Sequence, residues 1–359
     1  MNAAMQRLLR ILRHQPLYGL FLPAVLAFPA QWLGWGAPWV FLFSALGVIP
    51  LAQMIGDATE DLAVHTGPRW GGLINATLGN AAELIITLFA IRRGLLALVK
   101  ASITGSILGN LLLVLGFSML IGGIKNGKQR FDARHVSNSA VLTVLAVLAL
   151  AIPSLVSGAI GGAGSPKVEA FSLSVAAIML LLYALQLLYN QSTAPPHRAS
   201  AEHLARARPM RPALLLLAAA TVGVALLSEL LVGSVEPVVR QYGVSEFFLG
   251  IILIPIIGNV AEHLVAVQQA LRNQMDLSVE IAVASSLQVA LFVAPALVFI
   301  SLLFGNPLTL IFHPFEIMAL AAGVLVMALV SMDGESHWLE GAELLAVYLI
   351  LAVAFFLLP

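Results

Sequence analysis

Eleven runs of mostly apolar residues divide this sequence, at residues 17–35, 38–63, 70–91, 97–123, 135–153, 168–189, 212–235, 246–271, 277–303, 314–332 and 338–358. A helix needs about 20 such residues to cross the hydrocarbon of a bilayer. Inside that layer the backbone can satisfy its own polar groups only as a helix or a closed barrel. The runs therefore predict an all-α membrane protein with 11 transmembrane helices. Composition agrees, since 60% of the 359 residues are hydrophobic and only 10% are charged, against roughly 25% charged in soluble domains. A soluble globule is excluded. The absence of cysteine excludes disulfides, thiolate metal sites and cysteine nucleophiles. Lys plus Arg equal Asp plus Glu at 18 each, so no basic excess points to nucleic acid.

The first run, rich in Pro and Trp, has no small-residue cleavage site and is expected to be retained as a helix. Arg7, Arg10 and Arg13 flank it, and basic residues favour the cytoplasmic side. With the N-terminus inside and the spans alternating, only Arg92, Arg93, Lys100, Lys167 and Arg240 of the 18 basic residues fall outside. The C-terminus is then outside. Residues 1–36 read as an N-terminal transmembrane helix, 37–190 as one group of five helices, 191–211 as a cytoplasmic linker and 212–359 as a second group of five. The glycine-rich stretch from Ser154 to Lys167 reads as a loop.

The two groups share an internal repeat. Gly79-Asn80-Ala81-Ala82-Glu83 is echoed 179 residues later by Gly258-Asn259-Val260-Ala261-Glu262. The same offset pairs Ser106 with Ser285, Leu108 with Leu287, Leu112 with Leu291 and Val114 with Val293. Five spans, an odd number, separate the copies, so the helix bearing Glu83 runs outward and that bearing Glu262 runs inward. Inverted repeats create a pseudo-two-fold axis in the membrane plane, near which secondary transporters place their sites.

A charged residue at mid-bilayer costs about 2.5–3.5 kcal/mol on insertion scales and faces the protein interior or a wet cavity. Glu83 and Glu262, related by the repeat, call for one explanation. A hard divalent cation supplies it, because two carboxylates balance its charge while amide, hydroxyl and carbonyl oxygens complete its shell. The candidate ligands are Glu83, Asn80 and Ser106 in one half and Glu262, Asn259 and Ser285 in the other, with oxygens of Ser286 and Gln288 nearby. The glycine before each Asn weakens the helix and permits close backbone approach; its bland alternative is tight helix packing. Likewise, such Asn and Ser side chains often only bond across helices.

Asp57, Glu60 and Asp61 on the second span, and Glu229 and Glu236 on the seventh, form a second acidic set. Glu60, Glu229 and Glu236, with His263 and Gln288, are candidates for cation entry or proton relay. The alternatives are that the cytoplasmic acids face solvent and that His263 is a satisfied hydrogen-bond partner. The other histidines in or near loops, His65, His313 and His337 among them, are expected to be solvated. Gly105-x-x-x-Gly109 could seat a helix closely. No His-Glu-x-x-His, phosphate-binding loop or cytoplasmic domain for ATP is present, so the chain reads as no enzyme and no ATP-driven pump.

On these motifs, and on Gly105-Ser106-Ile107-Leu108-Gly109-Asn110 and Ser285-Ser286-Leu287-Gln288-Val289-Ala290-Leu291-Phe292, the chain resembles the calcium/cation antiporter superfamily, within it the cation/proton exchangers. The resemblance implies one extra helix before two inverted five-helix repeats, with Glu83 and Glu262 coordinating calcium and exchanging it for protons. It departs from some eukaryotic relatives in a linker that is basic rather than acidic, from Arg198 to Arg211.

The expected function is thus calcium/proton antiport by alternating access, with calcium and protons as cargo and no cofactor. A sodium-coupled or sodium-selective exchanger of the same fold is the alternative. An intramembrane hydrolase using Ser106 or Ser285 with His263 has no reason to duplicate Ser and Glu in opposed copies, and a passive channel is distinguished by counterflow. The partners are calcium ions, protons and the lipid bilayer, with no nucleic acid; a homo-oligomer is compatible with the sequence. The short termini suggest a prokaryotic plasma membrane rather than a vacuole.

Overall fold

A computed structural model describes residues 16–162, 164–193 and 207–358. Arg7, Arg10, Arg13 and the linker positions His197, Arg198, His203 and Arg206 lie outside the described residues. The elements are α1 (Phe21–Trp32), α2 (Ala37–Leu78), α3 (Ala81–Arg92), α4 (Leu96–Leu108), α5 (Leu115–Asn126), β1 (Gln129–Arg130), α6 (Ala133–Ser157), α7 (Pro166–Thr193), α8 (Met210–Gly233), α9 (Val235–Tyr242), α10 (Ile254–Leu271), α11 (Met275–Gln288), α12 (Ala294–Ser301), α13 (Pro314–Val330), β2 (Glu335–Ser336) and α14 (Trp338–Leu357). Short π-helical turns, Gly109–Val114, Leu249–Leu253 and Val289–Val293, lead into α5, α10 and α12.

Among the described residues eight helices are long and apolar enough to cross a membrane, and α1 and α13 are shorter apolar helices. The third expected run, 70–91, is not one helix: it comprises the end of α2 and all of α3, interrupted at Gly79 and Asn80. Between the second and third runs the helical assignment of α2 is uninterrupted over its 42 residues, but an apolar span ends at Thr66. There the helix is sharply bent. A Cβ on Gly71 would lie 2.6 Å from the Ala63 carbonyl oxygen, whereas residues eight apart on a straight helix are separated by about 12 Å. Pro68, which lacks an N–H to donate, lies within the bend.

Local structure follows the 179-residue offset. α4 begins at Leu96 and α11 at Met275, and each runs into a π-helical turn, Gly109–Val114 and Val289–Val293. Ahead of them, Gly94 at φ +77° matches Asn273 at φ +61°. Asn is the side chain other than Gly that best tolerates this left-handed region.

The described chain forms two compact units, each drawing on both sequence halves. Among the described residues, one comprises 16–89, 207–244 and 257–261. In it α8 and α1 pack on α2, with Gly47 against Ala24 and Gly223 against Leu51. Ile55, Ala81, Ala82, Ala220 and Val224 form a core cluster.

The other unit comprises, of the described residues, 90–162, 164–193, 245–256 and 262–358. Its loops gather at two ends. At one, Asn306 Nδ2 donates to the Ile91 carbonyl at 3.0 Å, Ser154 Oγ accepts from Phe312 N–H at 2.8 Å, and Ser172 Oγ accepts from Leu310 N–H at 3.1 Å. At the other, Lys125, Asn126 and Gln129 donate to the carbonyls of Ala270 and Leu271, and the Asp132 N–H reaches Asp276 at 2.6 Å. There β1 and β2 pair antiparallel, and Lys128 and Arg130 bridge Glu335. The Lys128 ammonium holds the Glu335 carboxyl below its ordinary range. In chain order these loops alternate between the ends, as successive crossings require. Leu303, Ile350, Val353 and Leu357 are exposed, an outward apolar surface suited to lipid rather than water.

Candidate functional site

Glu83 sits in the first turn of α3, just after the interruption at Gly79 and Asn80. Both Glu83 and Asn80 are only 1% exposed. A helix that restarts in the interior turns its positive dipole end toward this carboxylate, which offsets part of the cost of burying it. Thr87 Oγ1 donates to the Glu83 carbonyl at 2.8 Å, fixing the same turn.

The second motif meets the first in this unit. Residues 257–261 cluster with it, and the Gly258 backbone lies against Glu83: a Cβ at 258 would be 3.7 Å from the Glu83 Cβ and 3.8 Å from its Cα. Alanine would just touch; a longer side chain would displace the turn that carries the carboxylate. Asn259, also in the segment, is buried.

In the other unit Glu262 is half-buried on α10. Its Oε2 accepts from Ser285 Oγ at 3.1 Å, and Ser285 Oγ in turn accepts from Asn110 Nδ2 at 3.0 Å. This chain orients one carboxylate oxygen from α11 and from the π-helical turn after α4. Ser286 Oγ donates to Ala282 O at 3.0 Å and toward Ile107 O at 3.4 Å. Ser106 is buried on α4. Gly105, one residue earlier, is required by packing, because a Cβ would fall 1.9 Å from the Ile251 carbonyl oxygen. The second glycine of that spacing, Gly109, has nothing within 4 Å of its Cβ position, so close approach uses Gly105 alone.

Asn110 is the participant that reading by repeats passed over. It lies four residues beyond Ser106, but its repeat partner is Val289, so matching the halves gives no polar pair.

The second acidic set is more exposed. Glu60, Glu229 and Glu236 are exposed, and Glu236 lies 3.9 Å from Arg240 one turn on. Asp61 is tied down: its carboxylate accepts from Arg208 N–H at 3.1 Å and Arg208 Nη1 at 3.0 Å, while His65 Nε2 donates to Arg208 O at 2.7 Å. His263 and Gln288 are half-buried. His313 and His337 are exposed, as expected, and also cap α13 and α14, each with a reciprocal Glu three residues on. Among the described residues no three His, Asp or Glu side chains are grouped to hold a metal ion.

The sodium/calcium exchanger protein family model matches residues 36–191 and again 212–357. A Ca(2+)/H(+) antiporter of Aphanothece halophytica is 41% identical over 359 residues, covering 95% of this chain and 96% of the relative. Ca(2+)/H(+) antiporter ChaA of Bacillus subtilis is 44% identical over 333 residues, covering 90% and 93%. The solved structure of native YfkE superposes with a TM-score of 0.84 at 40% identity, covering 95% of this chain and all of YfkE. This chain belongs to the sodium/calcium exchanger protein family.

Proposed function

We propose that this integral membrane protein exchanges calcium for protons by alternating access, with Glu83 and Glu262 as the acids that hold either cargo. The observation that carries the reading is the Gly258 backbone lying against Glu83, which joins two motifs 179 residues apart around a buried carboxylate. The names of the relatives, Ca(2+)/H(+) antiporters in both cases, favour protons over sodium as the coupling ion.

Asn80, Asn259, Ser106 and Ser285 supply the neutral oxygens that a hard cation takes beside carboxylates. A proton on either acid removes the charge that attracts calcium, so loading one cargo expels the other. Coupling then needs no further device than exposure of the seat to one side at a time. Glu60, Glu229, Glu236, His263 and Gln288 serve cation entry or proton relay in this reading. Eleven crossings in one helix plus two inverted five-helix repeats place the N-terminus in the cytoplasm and the C-terminus outside a prokaryotic inner membrane.

The test is calcium uptake into proteoliposomes under an imposed pH gradient. The native chain takes up calcium, while Glu83→Gln and Glu262→Gln each lose proton-driven uptake. Normal uptake by either variant, or uptake driven by sodium with no pH gradient, overturns the assignment.

A further inference from the structure

One face of α4 carries two polar side chains that the proposed cycle leaves unused. Lys100 is half-buried and Thr104 fully buried, and their spacing places them one turn apart on that face. From α13, Glu316, only 2% exposed, reaches Thr104. Its Oε1 accepts from Thr104 Oγ1 at 2.9 Å, its Oε2 accepts from the His313 N–H at 2.7 Å, and it interacts electrostatically with Lys100.

These two hydrogen bonds do not by themselves require a charge. A glutamine at 316 would accept from His313 N–H through its oxygen and donate to Thr104 through its nitrogen, since a hydroxyl can play either part. A buried carboxylate is costly unless an opposite charge answers it, and Lys100 supplies one. The repeat isolates the cluster further, because 179 residues on the positions of Lys100 and Thr104 are Val279 and Val283, both buried and apolar. The pair thus belongs to one half only, on the helix that bears Ser106 about 9 Å from Lys100 along its axis.

We propose that Glu316 is a charge-compensating positioning residue: held by Thr104 and the His313 N–H, it cancels the Lys100 ammonium on the Ser106 helix and so preserves calcium affinity. The inference rests on the calcium/proton reading above. Without compensation, the ammonium repels a divalent cation at a distance where buried charges still interact strongly.

The experiment measures calcium half-saturation and maximal rate in proteoliposomes. Glu316→Gln is expected to raise half-saturation about tenfold with maximal rate retained, and Lys100→Met combined with Glu316→Gln to restore it to within about twofold. Lys100→Met alone lowers it. Native half-saturation in Glu316→Gln, or a double variant as impaired as that single one, overturns the proposal. Should Glu316→Gln fail to fold, unchanged half-saturation in Lys100→Met overturns it as well. A native chain that exchanges no calcium for protons removes the functional reading itself, whereas an exchanging chain indifferent to Glu316→Gln removes only this inference.

Discussion

Ser285 stands between two polar groups, receiving the Asn110 amide and giving its own proton to Glu262. Replacing it with alanine removes the bond that Glu262 accepts and the acceptor that the buried Asn110 amide uses, and losing a partner of a buried polar group costs about 1–3 kcal/mol. Ser285→Ala is therefore expected to raise calcium half-saturation at least several-fold while Ser285→Thr retains most of the native affinity. Asn110→Leu acts through the same link, so its effect and that of Ser285→Ala should fall short of adding in the double variant. Full additivity in a transport-based double-mutant cycle would show that the link does not act as a unit. Glu83, Glu262 and Ser285 were legible in the sequence because duplication marks them. Asn110 was hidden because its counterpart is Val289, and the fastening of Asp61 by Arg208, 147 residues away, leaves no trace in local spacing.

Helix positions were largely readable from apolar runs, but where helices bend and what they touch was not. Hydropathy is blind to the fold-back of α2 around residues 64–70, since α2 keeps its helical assignment through the bend. Glycine spacing likewise pointed to Gly105 and Gly109 equally, and only the backbone of Ile251 distinguishes them. Gly105→Ala is expected to destabilise the protein by about 1–3 kcal/mol through overpacking, lowering the detergent-solubilised melting temperature, while Gly109→Ala has a much smaller effect; equal shifts would contradict the packing. At the far end of α10, Gln129 Nε2 donates to both Ala270 O and Asn273 Oδ1, joining the Asn273 N–H and Asn126 Nδ2 on the Ala270 carbonyl and bracing the helix end. Gln129→Ala should speed amide exchange in the last turn of α10, measured by hydrogen–deuterium exchange, with α11 protected as before. The ribbon nearby depends on pH in a determinate sense. Glu335 is held below its ordinary range by Lys128, so its contribution is present above the unfolded-state pKa and fades as pH falls through the lower folded value.

At the scale of the whole molecule, the exchange reading makes one quantitative demand: calcium must displace protons from the acids it occupies. Metal binding to carboxylates requires their deprotonated form, so it releases protons wherever those groups are protonated beforehand. Calcium titrated into the purified protein, in buffers of different ionisation enthalpy, should release about one to two protons per ion at the acid end of the binding range. Release should shrink toward zero as rising pH empties the carboxylates before calcium arrives. On the loading side of proteoliposomes the same competition raises calcium half-saturation on acidification and leaves the rate at saturating calcium unchanged. Glu83→Gln and Glu262→Gln each remove one exchangeable acid, so residual calcium binding in either variant should release fewer protons than in the native chain. Calcium binding with no proton release at any pH would mean that the ions do not compete for these carboxylates, and coupling would then have to arise from the order in which the two faces open.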